Sequence, residues 1–117
     1  MPDGFYAVGD AGTRLAPAAQ AAFLRDVVAA VRRVTHIAPA DADGRIINEV
    51  ATQEGVIMYP YAALGLCGSV TGARFAATTE VYPDSPRATV EECTAAQVAA
   101  VCAALDHVLP RQARDAA

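Results

Sequence analysis

The chain contains no lysine; its nine basic residues are all arginine, set against thirteen acids for a net charge of −4. The charges are not gathered. Residues 1–60 carry five arginines and seven acids, residues 61–117 four and six. A nucleic-acid surface needs clustered cations to neutralise phosphates, and docking on an anionic membrane needs them too, so no direct nucleic-acid recognition and no membrane partner are expected. The missing lysine also excludes a P-loop, whose glycine-rich turn must end in Gly-Lys-Ser/Thr. No run of eighteen apolar residues occurs, so no membrane-spanning helix is expected. The opening Met-Pro-Asp-Gly-Phe-Tyr lacks the basic-then-apolar pattern of a signal peptide, and synthesis in a bacterial cytoplasm is the expectation. The three cysteines, Cys67, Cys93 and Cys102, are odd in number and lack a Cys-x-x-Cys spacing, which argues against a disulfide framework.

What is present describes a folded domain. Hydrophobic residues make up 54% and charged residues 19% of 117 positions, enough for a core without disulfides or metals. Alanine is heavily used, which together with the absence of lysine fits the codon usage of a GC-rich genome. Residues 1–117 read as one domain, with 1–13 an irregular N-terminal arm and 111–117 a frayed tail. Pro17 is placed to open a helix, and Phe23, Val27, Ala30, Val31 and Val34 fall on one helical face. Arg45–Val50 is β-prone. Val56 to Leu64 reads as a second strand, centred on Tyr59-Pro60-Tyr61, and Ala73 to Tyr82 alternates with period two as a third. Thr94 and Gln97 form a capping-box pattern, followed by an apolar stripe of Val98, Val101, Cys102, Leu105, Val108 and Leu109 that Pro110 should stop.

The expected fold class is α+β: a small three- to four-stranded, mostly antiparallel sheet with two amphipathic helices packed on one face. Phe23, Val27, Val31, Val98, Val101 and Leu105 are the expected core. Two helices cover one face of such a sheet, so the other is expected to be solvated or covered by a partner, its exposed side marked by Phe75 or Tyr82.

No motif for catalysis, cofactor or metal survives inspection. Cys67 lies in the glycine-rich stretch Gly65–Gly72, where backbone N–H groups are suited to an oxyanion, but a thiolate nucleophile needs a base, and the spacing ties neither His36 nor His107 to it. Cys102 and His107, five apart on a helix, point about 140° apart, which does not suit two ligands of one metal. Asp41/Asp43 and Glu91/Glu92 have structural explanations, in a turn and at a helix N-terminus. The element order matches double-stranded RNA-binding domains in outline, but the last helix lacks the basic face they need.

Tyr59-Pro60-Tyr61-Ala62-Ala63-Leu64-Gly65, then Ala73–Tyr82, then the amphipathic stretch from Ala95 to Leu105 together resemble the tail terminator (tail-completion) proteins of long-tailed bacteriophages and related particles. The resemblance covers most of residues 15–109. It implies a non-enzymatic virion subunit that forms a homo-oligomeric ring, usually of six copies. The ring caps the tail tube at the head–tail junction and contacts tail-tube and head-side connector proteins. No catalytic, cofactor or metal residues are implied. Arg74, Asp84 and Arg87, flanking the alternating strand, are the expected contacts between copies. The glycine-rich loop and the N-terminal arm are not part of the family pattern. Two other readings stay open at this point: a small enzyme or ligand-binding protein using Cys67 and the Gly65–Gly72 loop, and a small regulatory or immunity-type protein that binds one partner through an open sheet face.

Overall fold

A computed structural model describes residues 2–116, with side chains placed for all of these except Cys67 and residues 110–116. The fold is α+β. Its three-stranded sheet has the order β4–β1–β5, with β1 (Tyr6–Asp10) in the centre, β4 (Val56–Tyr59) parallel to it and β5 (Ala77–Glu80) antiparallel. The sheet is thus mixed. A parallel pair needs a long crossover, and the chain between β1 and β4 includes helix α1 (Pro17–Arg32).

The central strand lies where an irregular arm was expected. Phe5 and Ala7 join the core beneath the helices, while Tyr6 and Val8 join a second apolar cluster. A strand buried on both faces shows no polar alternation, and Gly9-Asp10 at its end resembles a turn. Helix α1 begins at Pro17 as expected and buries Phe23, Leu24, Val27, Val28 and Val31.

The second face of the sheet is covered. Tyr6, Val8 and Ile57 pack there with Ala38, Ile46 and Tyr61. These come from the crossover and from the residues that follow β4, so the open face expected from two helices does not exist. Neither Phe75 nor Tyr82 marks an exposed side; both are half-buried. Phe75 meets Phe23 edge-on, with centroids 5.2 Å apart.

Three expected strands shrink. Arg45–Val50 is a hairpin of β2 (Arg45–Ile46) and β3 (Glu49–Val50), turning at Ile47 and Asn48 with φ of 45° and 67°. The strand from Val56 stops at Tyr59; Tyr61–Leu64 forms a single helical turn, α2, with Pro60 at its N-cap and Gly65 ending it at φ 66°. Ala62, Ala63 and Leu64 are strong helix formers, and a left-handed glycine is the usual stop. The alternating stretch from Ala73 pairs only over Ala77–Glu80, and a short 3-10 helix, Cys67–Val70, lies within the glycine-rich connection.

Helix α3 spans Val90–Ala116. It begins before the expected capping box because Thr89 caps it, with the Glu92 N–H donating to Thr89 Oγ1 at 3.1 Å. Thr89-Val90-Glu91-Glu92 itself has the Thr-x-x-Glu form. Thr94 instead donates back to the Val90 carbonyl, at 3.0 Å. Gln97 ties the helix to the edge strand, accepting from Thr79 Oγ1 at 2.5 Å. Pro110 does not stop the helix, although it removes one helical hydrogen bond. Helical residues therefore continue into the stretch expected to fray, and Ala117 lies outside the described residues.

Candidate assembly interface

The glycine-rich connection is built around Tyr61. A side chain at Gly68 would collide with the Tyr61 ring, so the loop lies flat on it. The Tyr61 hydroxyl donates to the Val8 carbonyl at 2.5 Å and meets Thr78 Oγ1 at 3.1 Å. Burial raises the Tyr61 pKa above its ordinary value, with the nearby Asp10 adding to the rise and the Thr78 contacts opposing it. The space beneath Gly68 is therefore filled by an aromatic ring.

A shallow cleft of ≈ 380 Å³ beside this loop is lined by Asp10, Arg14, Ser69 and Arg74 among others. The Asp10 carboxylate there is engaged structurally: its Oδ1 accepts from the Gly12 N–H at 2.8 Å and from the Tyr61 N–H at 3.1 Å. The side chain of Cys67, the candidate nucleophile, lies outside the described residues.

Both histidines are held by aspartates. His36 Nε2 lies 2.9 Å from Asp3 Oδ1, and His107 Nδ1 lies 2.5 Å from Asp26 Oδ2. His107 is buried, edge-on to Phe23 and Phe75. Cys93 is buried and Cys102 exposed, so the two cysteines of α3 face different surroundings. Among the described residues, no three His, Cys, Asp or Glu side chains gather into a metal-binding group.

Arg74, Asp84 and Arg87 are all exposed. Arg74 precedes β5 and Asp84 and Arg87 follow it, as the sequence suggests. The Arg74 guanidinium lies 5.9 Å from the Phe75 ring centroid, and its backbone carbonyl accepts from Thr13 Oγ1 at 3.0 Å. Around the other two, buried Ser85 fixes the turn by accepting from the Arg87 N–H at 3.0 Å. The same turn grips the N-terminal segment: hydrogen bonds from Ser85 and then His36 hold the Asp3 carboxyl below its ordinary pKa, helped by the Arg87 charge.

The feature that sequence reading assigned to the core is on the surface. Helix α3 packs on α1 and the sheet through Cys93, Ala96, Ala100 and His107, with Ala104 and Val108 beside them. Small residues let two helices approach closely, and α1 and α3 form the most extensive contact between elements. With that stripe inward, the 3.6-residue turn sends Val98, Val101, Leu105 and Leu109 to the opposite side, where each is at least half exposed. With Val90 and Thr94 they are spaced 4, 4, 3, 4 and 4 residues apart, and residues 93–105 contain no charge. Val98, Val101 and Leu105 are thus not core, while Phe23, Val27 and Val31 are.

This stripe makes Val90–Leu109 long and apolar enough to cross a membrane by length and composition, although no single apolar run reaches eighteen residues. One side of the helix is committed to the core. Glu91 and Asp106 border the other, whereas helices that lie on membranes carry basic residues there.

No protein-family model matches the chain, and no curated protein matches it.

Proposed function

We propose that the protein is a non-enzymatic assembly subunit, a virion component of the tail-terminator type that acts by associating with copies of itself and with tail-tube and head-side connector proteins. The observation that carries this reading is the outward stripe of α3. Monomeric soluble proteins rarely leave a contiguous apolar face of this length in water, and such faces mark interaction sites. The candidate chemistry supports it in another way. The Asp10 carboxylate, the Tyr61 hydroxyl and both histidines are tied to structural partners. The resemblance of Tyr59–Gly65, Ala73–Tyr82 and Ala95–Leu105 to tail terminators supplies the specific role. A ring requires a head-to-tail contact between two different surfaces, and Arg74, Asp84 and Arg87 are the residues proposed for it.

The test is mass spectrometry of particles banded on a density gradient from an induced source culture. The chain is expected to travel with capsid and tail proteins at a few copies per particle. Its absence from intact particles, while it is present in the same lysate, would end the virion reading.

A further inference from the structure

We infer that the cleft outside the carboxyl ends of β1 and β4 binds a small phosphorylated polyol, its phosphate held by Arg14 and Arg74 and one of its hydroxyls by Asp10. The inference goes beyond the assembly reading and does not rest on it.

The topology supplies the place. Strands β1 and β4 are parallel neighbours that end at Asp10 and Tyr59. The chain leaves β1 for α1, which packs on the sheet face of Phe5 and Ala7. It leaves β4 for Tyr61, which packs on the opposite face with Tyr6 and Val8. Connections that part to opposite faces open a crevice beyond the strand ends, and ligands of parallel sheets bind in such crevices. The cleft of ≈ 380 Å³ lies there, with Asp10 from the end of β1 and Ala62 from the turn after β4. Its volume is within the range of small-molecule sites, roughly 300–1,000 Å³.

The lining supplies the chemistry. Arg14 and Arg74 reach the cleft from segments joined by the donation of Thr13 Oγ1 to the Arg74 carbonyl at 3.0 Å. Guanidinium groups bind phosphate oxygens through paired, charge-assisted hydrogen bonds. Among the described residues, no acid forms an ion pair with Arg14. Just before Arg74, Thr71 and Gly72 pass from φ −98° to φ 61°, a right-to-left succession whose N–H groups make anion-binding concavities. The Ala73 N–H there turns onto Thr71 Oγ1 at 3.2 Å, a local acceptor that a phosphate oxygen can displace.

A bare anion would leave the carboxylate in the same cleft unused. Asp10 Oδ1 accepts from the Gly12 and Tyr61 N–H groups, while Oδ2 meets no donor among the described residues. The carboxylate is thus fixed in direction and keeps one oxygen for a donor on the ligand. A phosphate ester with a free hydroxyl satisfies both the arginines and Asp10, whereas inorganic phosphate satisfies only the arginines.

Arg74 is also among the proposed contacts between copies and Arg14 is not, so the test turns on Arg14. The full chain, isotope-labelled, should be titrated with ribose 5-phosphate, inorganic phosphate and ribose while amide shifts are followed. The ester is expected to shift the amides of Gly12, Arg14 and residues 72–74 saturably. Inorganic phosphate should bind more weakly, and ribose should shift none of them. Arg14→Gln, on an exposed position and checked for folding by circular dichroism, should weaken the ester by about tenfold or more. Asp10→Asn keeps an acceptor for the Gly12 and Tyr61 N–H groups; it should weaken the ester and leave inorganic phosphate no weaker.

No saturable shift at millimolar ester, or binding indifferent to Arg14→Gln, would overturn the site. Neither result touches the assembly reading, which particle composition decides. Inorganic phosphate binding as tightly as the ester, with Asp10→Asn without effect, would overturn the polyol and reduce the cleft to a bare anion site.

Discussion

The Tyr61 hydroxyl donates to the backbone carbonyl of Val8 at 2.5 Å and also meets Thr78 Oγ1. Val8 lies in the central strand, Thr78 in the edge strand β5, and Tyr61 opens the helical turn that follows β4. One side chain therefore links all three strands, and Gly68 closes over its ring. Replacing Tyr61 with Phe keeps the ring but leaves a strand carbonyl without its partner. Loss of one partner of a buried hydrogen bond costs about 1–3 kcal/mol. Tyr61→Phe is expected to lower unfolding free energy by that amount in urea titrations, with the sheet retained. An unchanged midpoint would show that water replaces the hydroxyl.

The same burial gives a pH dependence. Desolvation raises the pKa of Tyr61, and likewise of Tyr6 and Tyr59, above the ordinary 10.0. A raised folded-state value means that the fold favours the neutral phenol. This stabilisation is fully present below pH 10 and is lost as pH rises through the folded-state values. Stability should hold to about pH 10 and fall above it, and the fall should be shallower in Tyr61→Phe. An alkaline limb of equal steepness in that variant would assign the loss to other groups.

Asp3 makes the opposite prediction at low pH. Its folded-state pKa is lowered, first by Ser85 and then by His36. The stabilisation is present above the ordinary 3.8 and is lost as pH falls through the folded-state value. Acid titration followed by hydrogen exchange at residues 3–5 should show this segment loosening as pH falls in the unaltered chain, whereas in Asp3→Asn it is already looser at neutral pH and shows no such acid step. Identical profiles would mean that Phe5, buried beneath the helices, holds the segment unaided.

The parts of the fold legible in the sequence were those with one apolar face. Helix α1 announced itself through Pro17 and the Phe23–Val27–Val31 spacing, and β5 through alternation. The central strand carried no such signal, because Phe5 to Val8 is buried on both sides. Helix α3 was legible as a helix but not in its orientation. It has two stripes, and its larger side chains are the exposed ones, while Ala96 and Ala100 are buried. Size ranked Val98, Val101 and Leu105 as core, whereas the close approach of α1 selects the small residues. The Thr89–Glu92 cap could have been found, since it has the same pattern as Thr94–Gln97 and stands before the first turn. The candidate interface was therefore present in the sequence as a periodicity, and only packing assigned it to the surface.

That assignment separates two leucines. Leu24 is buried under the sheet and Leu105 is half exposed. Leu24→Ala should cost about 2–5 kcal/mol at any protein concentration. Leu105→Ala should change the stability of dilute chain by no more than about 0.5 kcal/mol, as surface substitutions do. A multi-kilocalorie loss for Leu105→Ala in dilute solution would place its side chain in a core contact and remove the stripe from the surface.

The β2–β3 turn is strained by its sequence. Ile47 and Asn48 take φ of 45° and 67°, the left-handed conformation of a two-residue hairpin turn. Asparagine tolerates it, but a β-branched side chain does not, and such placements cost on the order of 1–3 kcal/mol. The Asn48 carbonyl accepts from Arg45 Nη1 at 2.7 Å, so the backbone geometry is also held by a side chain. The double change Ile47→Asn with Asn48→Gly supplies the preferred turn pair, and Ile47 surrenders little burial because it is 39% exposed. The variant is expected to be about 1 kcal/mol more stable in thermal and urea unfolding, with the hairpin amides more protected from exchange. A loss of stability would mean that the Ile47 side chain packs against the hairpin strongly enough to outweigh the strain, and Ile47→Val, which shortens it while staying β-branched, would then lose stability as well.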